Sequence, residues 1–223
     1  MDIREPELLH KVRDVLRLKK KETVHAFDGK GIEFSCKVIS MDKKSLLLER
    51  REKSQEAAKP CCVITLAFPM LKEDKIDVIL QKGTELGAGV LSPFISSRSI
   101  QATPSTTRLS RWHKIVIEAT RQSERLWLPR VAPLCRIEEI ITQQYDLKIV
   151  AAQKGKPLPE NLRNKKAKQI LLVSGPEGDF SPEEEKLIAA NDFFPVSLSK
   201  NVLRAETASV ALMGLVHYHT SFN

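Results

Sequence analysis

Residues 170–185 read Ile-Leu-Leu-Val-Ser-Gly-Pro-Glu-Gly-Asp-Phe-Ser-Pro-Glu-Glu-Glu, and no other stretch constrains the fold as strongly. Ile170, Leu171, Leu172 and Val173 are continuously apolar and partly β-branched. That is the pattern of a strand buried on both faces of a parallel sheet. Gly175, Pro176 and Gly178 then break the chain direction. Ser181 is placed as an N-cap, Pro182 takes the first helical position, and Glu184 stands three residues past the cap. The run therefore spells a capping box with the favoured proline. A turn between strand and helix lies past the carboxyl end of the strand, where open α/β sheets bind ligands. An ordinary strand-to-helix turn would be spelled the same way, and the residues alone leave that alternative open.

A second run, residues 195–213, predicts a short strand (196–198), a polar turn and a helix. Ala208, Ala211, Leu212, Leu215 and Val216 follow the i, i+3, i+4 rhythm of one helix face. Arg204, Glu206 and Thr207 open that helix, where polar groups can face a ligand.

The rest of the chain alternates strand and helix. Residues 62–68 and 90–94 read as buried strands. Between them residues 74–86 form a helix with Ile76, Ile79 and Leu80 on one face, stopped by Gly87. Ser96, Ser97, Arg98 and Ser99 follow the carboxyl end of the strand at 90–94. Residues 108–126 predict the longest helix, with Leu109, Trp112, Val116 and Ala119 as its buried stripe. Arg111, Lys114, Arg121 and Arg125 form a basic stripe broken by Glu118; they fit either a solvated face or a phosphate-tracking surface. A strand at 147–151 and a basic loop at 154–168 follow. Such alternation argues for an α/β fold with a parallel sheet.

Residues 1–67 differ. They predict a short amphipathic helix carrying Val12, Val15 and Leu16, with Arg13, Arg17 and Lys20 on its basic side. Strands at 23–27, 32–39 and 45–49 follow, with an Asp28-Gly29 hairpin signal and an exposed linker over 50–59. Short strands with regular turns predict a small β-barrel. The expected division is therefore 1–67 and 68–223.

The 223 residues carry a net charge of +8 and a pI near 9.3, which favours nucleic acid or an anionic membrane as partner. No apolar run approaches bilayer length and no signal-peptide pattern opens the chain, so a cytoplasmic protein with no membrane partner is expected. Cys36, Cys61, Cys62 and Cys135 include no C-x-x-C, which predicts free buried thiols in a reducing compartment. Zinc-site spacing is lacking, and His217 and His219 are two apart on a helix, so no metal is expected. No Walker A motif, His-Glu-x-x-His or transferable nucleophile triad is present.

Gly175-Pro-Glu-Gly-x-Phe-Ser-x-Glu-Glu184, with Leu198-x-x-x-x-Leu-Arg-x-Glu-Thr-Ala208, resembles the knotted SPOUT methyltransferases, and within them the ribosomal RNA small subunit methyltransferase E family. The likeness covers almost the whole chain. Gln81 to Gly87 matches a family signature with Gly83 where alanine is commoner. Arg111-Trp-x-Lys-Ile-x-x-Glu-Ala-x-x-Gln-Ser-x-Arg125 matches another, and His10 to Leu18 nearly reproduces the opening of the family's PUA-like RNA-binding domain. The resemblance implies a PUA-like β-barrel followed by a SPOUT-type parallel-sheet domain with a carboxyl-terminal trefoil knot, a rare exception to unknotted folds. It also implies a homodimer that uses S-adenosyl-L-methionine to methylate N3 of a uridine in 16S rRNA of the small ribosomal subunit.

By that resemblance, cofactor contacts fall on Ser174, Gly175, Glu177, Gly178, Leu198, Ser199, Val202 and Leu203. RNA contacts are expected from Arg13, Arg17, Arg121 and Arg125. Asp179 and Ser199 stand where the family has glycine; aspartate tolerates positive φ and serine is small, so binding is expected to be retained. Uracil N3 is a poor nucleophile until its proton leaves, so the site must stabilise the developing anion with fixed positive groups. Arg98 and Arg204 are the candidates, with Glu206 orienting Arg204 or accepting the proton. Two other classes fit less well. A non-catalytic ribosome-assembly factor on this fold would need no cofactor. A nucleotide-phosphate enzyme would place phosphate at a turn crowded by Glu177, Glu183, Glu184 and Glu185.

Overall fold

The computed structural model describes residues 1–158 and 167–221, so residues 159–166 of the expected basic loop lie outside the described part. The chain forms two compact units, Met1–Lys59 and Pro60–Asn223.

The first unit contains β1 (Asp2–Ile3), α1 (Pro6–His10), a π-helical turn (Lys11–Val15), β2 (Thr23–Phe27), β3 (Ile32–Met41) and β4 (Leu46–Glu56). The strands form an antiparallel sheet in the order β1-β4-β3-β2. Gly29 and Gly31 take φ of 71° and 102° in the β2–β3 turn, and the Asp28 carboxylate accepts from the Lys30 and Ile32 amides at 2.7 and 3.1 Å. Leu9, Val12, Cys36, Val38, Leu46 and Leu48 make the core. Two expectations change here. Val15 and Leu16 are exposed, because the π-helical turn carries them off the face that Val12 buries. Residues 50–56 are not linker: β4 runs on to Glu56, held by its backbone ladder to β3 although no apolar alternation marks it. Of the cysteines, all free, Cys36 is buried and Cys61 is exposed.

The second unit runs β5 (Val63–Pro69), α2 (Glu73–Glu85), β6 (Val90–Ile95), α3 (Thr106–Gln122), β7 (Arg130–Val131), β8 (Cys135–Arg136), α4 (Ile137–Ile141), β9 (Leu147–Lys156), β10 (Gln169–Val173), α5 (Pro182–Ala189), β11 (Phe193–Val196) and α6 (Ala205–Ser221). A division at 67/68 would cut β5, which pairs with β10 and β6. The sheet is parallel, in the order β11-β9-β10-β5-β6-β7, with β8 also on β6. β10 lies inside it and is buried on both faces, as its unbroken apolar sequence requires. Ile170 and Leu172 enter the core that α2, α3 and α6 cover. Leu171 and Val173, one pleat over, enter the core under α4 and α5.

Helix boundaries follow local chemistry. Ser105 caps α3, its hydroxyl accepting from the Arg108 amide at 3.2 Å. Ser181 and Glu184 form the expected capping box on α5, with Pro182 at its first turn. Gly87 ends the turn after α2 with φ of 94°. On α6 the buried face is Ala205, Ser209, Leu212, Met213 and Val216, so the expected stripe is rotated, leaving Ala208, Ala211 and Leu215 half-buried. Among the described residues no helix is long and apolar enough to cross a membrane.

Candidate functional site

The turn after β10 is fastened from several sides. The Ser174 amide donates to Ala67 O at 3.2 Å, and its hydroxyl lies 2.6 Å from that of Ser209 on α6. Ser174 is thus fully buried beneath the turn and ties it to α6. The Asp179 amide closes the turn on Pro176 O at 3.0 Å. Asp179 itself takes the left-handed conformation, φ 61°, and its carboxylate accepts from the Phe180 amide at 2.9 Å. The residue under conformational constraint is therefore Asp179, where aspartate is among the better tolerated non-glycine residues. A Cβ on Gly175 would lie 3.2 Å from the Phe180 ring, whereas one on Gly178 would make only ordinary contact with Arg98 at 3.5 Å.

Arg98, from the loop after β6, donates through Nη1 to Gly178 O at 2.8 Å and Phe180 O at 3.2 Å. The same loop is gripped by α5: Glu184 accepts from the Ser97 amide at 2.7 Å while completing its capping box with the Ser181 amide at 2.8 Å. One capping carboxylate thus locks the helix start and the neighbouring loop together.

These anchors hold one wall of a solvent-open cleft past the ends of β9 and β10. Gly175, Pro176, Glu177 and Asp179 form that wall, and Ala151, Ala152 and Gln153 of β9 form another. Leu198, Ser199, Asn201, Val202 and Leu203 close it, with Ala205 and Ala208 at the floor of α6. Ser199 accepts from the Asn201 amide at 3.0 Å and has no positive φ, so its serine costs no backbone strain. Gly155 matters to the shape: a Cβ there would lie 2.5 Å from Ser197 N and the Val196 carbonyl carbon. Its lack of a side chain lets the end of β11 sit against β9, where the register shifts between Pro195 and Val196. Val202 is 78% exposed at the rim, an unusual place for a large apolar side chain.

Six of the eight expected contact residues line this cleft: Gly175, Glu177, Leu198, Ser199, Val202 and Leu203. Ser174 does not, because its side chain points down to Ser209, and Gly178 does not, because it faces Arg98. The β9 wall was missed; only the sheet order reveals that β9 ends beside β10.

A charged cluster borders the cleft. Lys75 of α2 donates to the Glu177 carboxylate and lies 3.8 Å from Glu206 Oε2. The side chains of Lys75 and Glu206 are largely buried, while Glu177 is half exposed. The hydrogen bond from Lys75 holds the Glu177 carboxyl below its ordinary range, and the same bond raises the Lys75 ammonium. Glu206 Oε2 is buried without a hydrogen-bond partner. Its ion-pair partner is Lys75 and not Arg204, which is exposed beside the cleft.

The expected RNA-contact arginines divide. In the first unit Arg17 is exposed with φ 51°, and Arg13 is paired with Asp14 at 2.6 Å. In the second, Arg121 pairs with Glu118 on its own helix. Arg125 is corrected outright: its guanidinium donates to Thr84 O and, at 3.0 Å, to Ala88 O, closing the carboxyl end of α2. Burial lowers its pKa. Among the described residues no group of three or more His, Cys, Asp or Glu could hold a metal.

Comparison with known proteins gives this geometry a context. A family model described as an RNA methyltransferase domain matches residues 57–217, and one described as an RNA methyltransferase PUA domain matches residues 12–49. Ribosomal RNA small subunit methyltransferase E of Synechocystis is 33% identical over 216 residues, spanning 94% of this chain and 70% of that protein. The protein of the same name from Rickettsia conorii is 31% identical over 212 residues, spanning 93% and 85%. The crystal structure of a ribosomal RNA small subunit methyltransferase E from Neisseria gonorrhoeae bound to S-adenosyl methionine is 28% identical. It covers 100% of this chain and 94% of that one, with a TM-score of 0.86.

Proposed function

The chain belongs to the ribosomal RNA small subunit methyltransferase E family, and from that premise we propose that it methylates N3 of a uridine in 16S rRNA of the small subunit, with S-adenosylmethionine as donor. The observation that carries the reading is the cleft between the ends of β9 and β10 and the 198–203 loop. Its lining mixes small residues (Ala151, Ala152, Gly175, Ser199) with apolar Leu198, Val202 and Leu203 and polar Gln153, Glu177 and Asn201, a surface suited to the flat base and the polar ribose of a nucleoside. The basic charge of the chain fits an RNA substrate.

The bound donor supplies a methyl carbon on a sulfonium. The chain's work is to hold acceptor and donor in line and to favour the uridine anion. Uracil N3 would have to lose its proton to solvent before it could act as nucleophile, so the residues of the site would hold the base and stabilise its anion while the bound donor supplied the methyl group. We assign charge stabilisation on the base carbonyls to Arg204, which is exposed beside the cleft. Arg98 acts on the site from behind, as a brace on the Gly178 and Phe180 carbonyls. Arg13, Arg17 and Arg121 are assigned to RNA phosphates. The same reading carries a homodimer, a carboxyl-terminal trefoil knot and a cytoplasmic location.

The test uses small ribosomal subunits from cells lacking the modification, incubated with labelled S-adenosylmethionine. Wild-type protein is expected to transfer label, and Arg204→Ala to lose turnover by about 10²–10³-fold, as removal of one charge-stabilising donor does, with little change in cofactor affinity. No transfer by a protein that binds the cofactor would favour a non-catalytic assembly factor. Normal turnover by Arg204→Ala would move the charge-stabilising role to another residue.

A further inference from the structure

Lys75 lies in no sequence motif singled out above, yet it joins three elements of the second unit. It projects from α2, bonds Glu177 in the turn after β10, and lies 3.8 Å from Glu206 in the first turn of α6. Of the three, Glu177 lines the cleft, whereas Lys75 and Glu206 do not. Glu177 is 54% exposed, and among the described residues its bond to Lys75 is the side-chain contact that fixes its rotamer against solvent. Lys75 in turn is only 18% exposed, and Glu206 14%, with Oε2 lacking any hydrogen-bond donor. A buried carboxylate oxygen without a donor is costly unless a cation compensates it, and Lys75 is the cation within ion-pair distance of it. Arg204 and Lys72 add positive charge near Glu177, and both favour its ionised form.

We propose that Lys75 is a positioning residue for the cofactor site: anchored by Glu206, it holds Glu177 in the cleft wall in the conformation that receives S-adenosylmethionine. The inference rests on the methyltransferase reading and adds to it a residue that never touches the ligand. Glu206 is accordingly the anchor of the bridge, ahead of any role toward Arg204.

The test is calorimetric titration of the full chain with S-adenosylmethionine, without RNA, alongside thermal unfolding of each variant. Lys75→Met is expected to weaken binding by about tenfold, the lower end of what loss of an outer-shell partner does at metal sites, while Lys75→Arg retains most of the affinity. Lys75→Met leaves Glu206 uncompensated, so the pair Lys75→Met with Glu206→Gln is measured too; it removes the stranded charge and should bind as weakly while melting near wild type. Adding Glu177→Gln to Lys75→Met should cost little more, because the bridge is already broken. Wild-type affinity in the folded double variant, or full additivity of Lys75→Met and Glu177→Gln, would overturn the proposal and leave the methyltransferase reading standing. A wild-type chain that does not bind the cofactor would overturn both.

Discussion

Asp179 shows how much one backbone angle can decide. Its φ of 61° places it where a side chain is strained, and its carboxylate offsets part of that strain by accepting from the Phe180 amide. Asp179→Val should therefore destabilise the fold by about 1–3 kcal/mol, whereas Asp179→Gly should melt close to wild type. Denaturant unfolding of the two variants checks this, and a valine variant as stable as wild type would show that the turn does not need the left-handed residue. At this scale the sequence was informative where chemistry is local. Ser181, Pro182 and Glu184 spell a cap that depends on residues three positions apart, and the structure has that cap. Lys75 and Glu177 are 102 positions apart, and no local pattern links them. Ser174 and Gly178 belonged to the right motif, but which of its residues face the ligand depends on where α6 and Arg98 pack.

Between elements, Arg125 carries the clearest lesson. Its spacing put it on a basic helix stripe, but α3 ends at Gln122, and Glu124 with φ of 56° redirects the chain. The guanidinium is then aimed at the carboxyl end of α2, where Ala88 O accepts at 3.0 Å. Arg125→Ala should cost roughly 1–3 kcal/mol, the penalty of leaving a buried acceptor unpaired, and should leave the salt slope of RNA binding unchanged. Arg17→Ala, by contrast, should reduce that slope by about one with little loss of stability. Unfolding curves and binding isotherms across a salt series check both; a flattened slope for Arg125→Ala would return it to the RNA surface. Strands 63–69, 90–95 and 169–173 were legible because burial on both faces writes a mostly apolar run, interrupted only at Thr65, Ser92 and the exposed Gln169. The outer part of β4 was not, since its residues are polar and exposed and only backbone pairing makes it a strand.

For the whole molecule, fold class followed from the alternation of strand and helix, and the family from motifs near the carboxyl end of the chain. The sheet order did not follow, and with it went the β9 wall of the cleft: Ala151, Ala152 and Gln153 carry no motif of their own. The first unit, matched by a PUA domain model over residues 12–49, and the second, with its cleft, divide the proposed work into RNA capture and methyl transfer. That division is central only if the product is the one the chemistry demands. The most direct measurement is mass spectrometry of 16S rRNA from modification-deficient small subunits after incubation with the protein and S-adenosylmethionine, with nucleoside standards that separate methylation at N3, C5 and the ribose hydroxyl. One uridine is expected to gain a methyl on N3, at a rate that rises with pH below the optimum as deprotonation requires. A methyl on carbon or on ribose, or a 16S rRNA left unmodified by a protein that binds the cofactor, would contradict it.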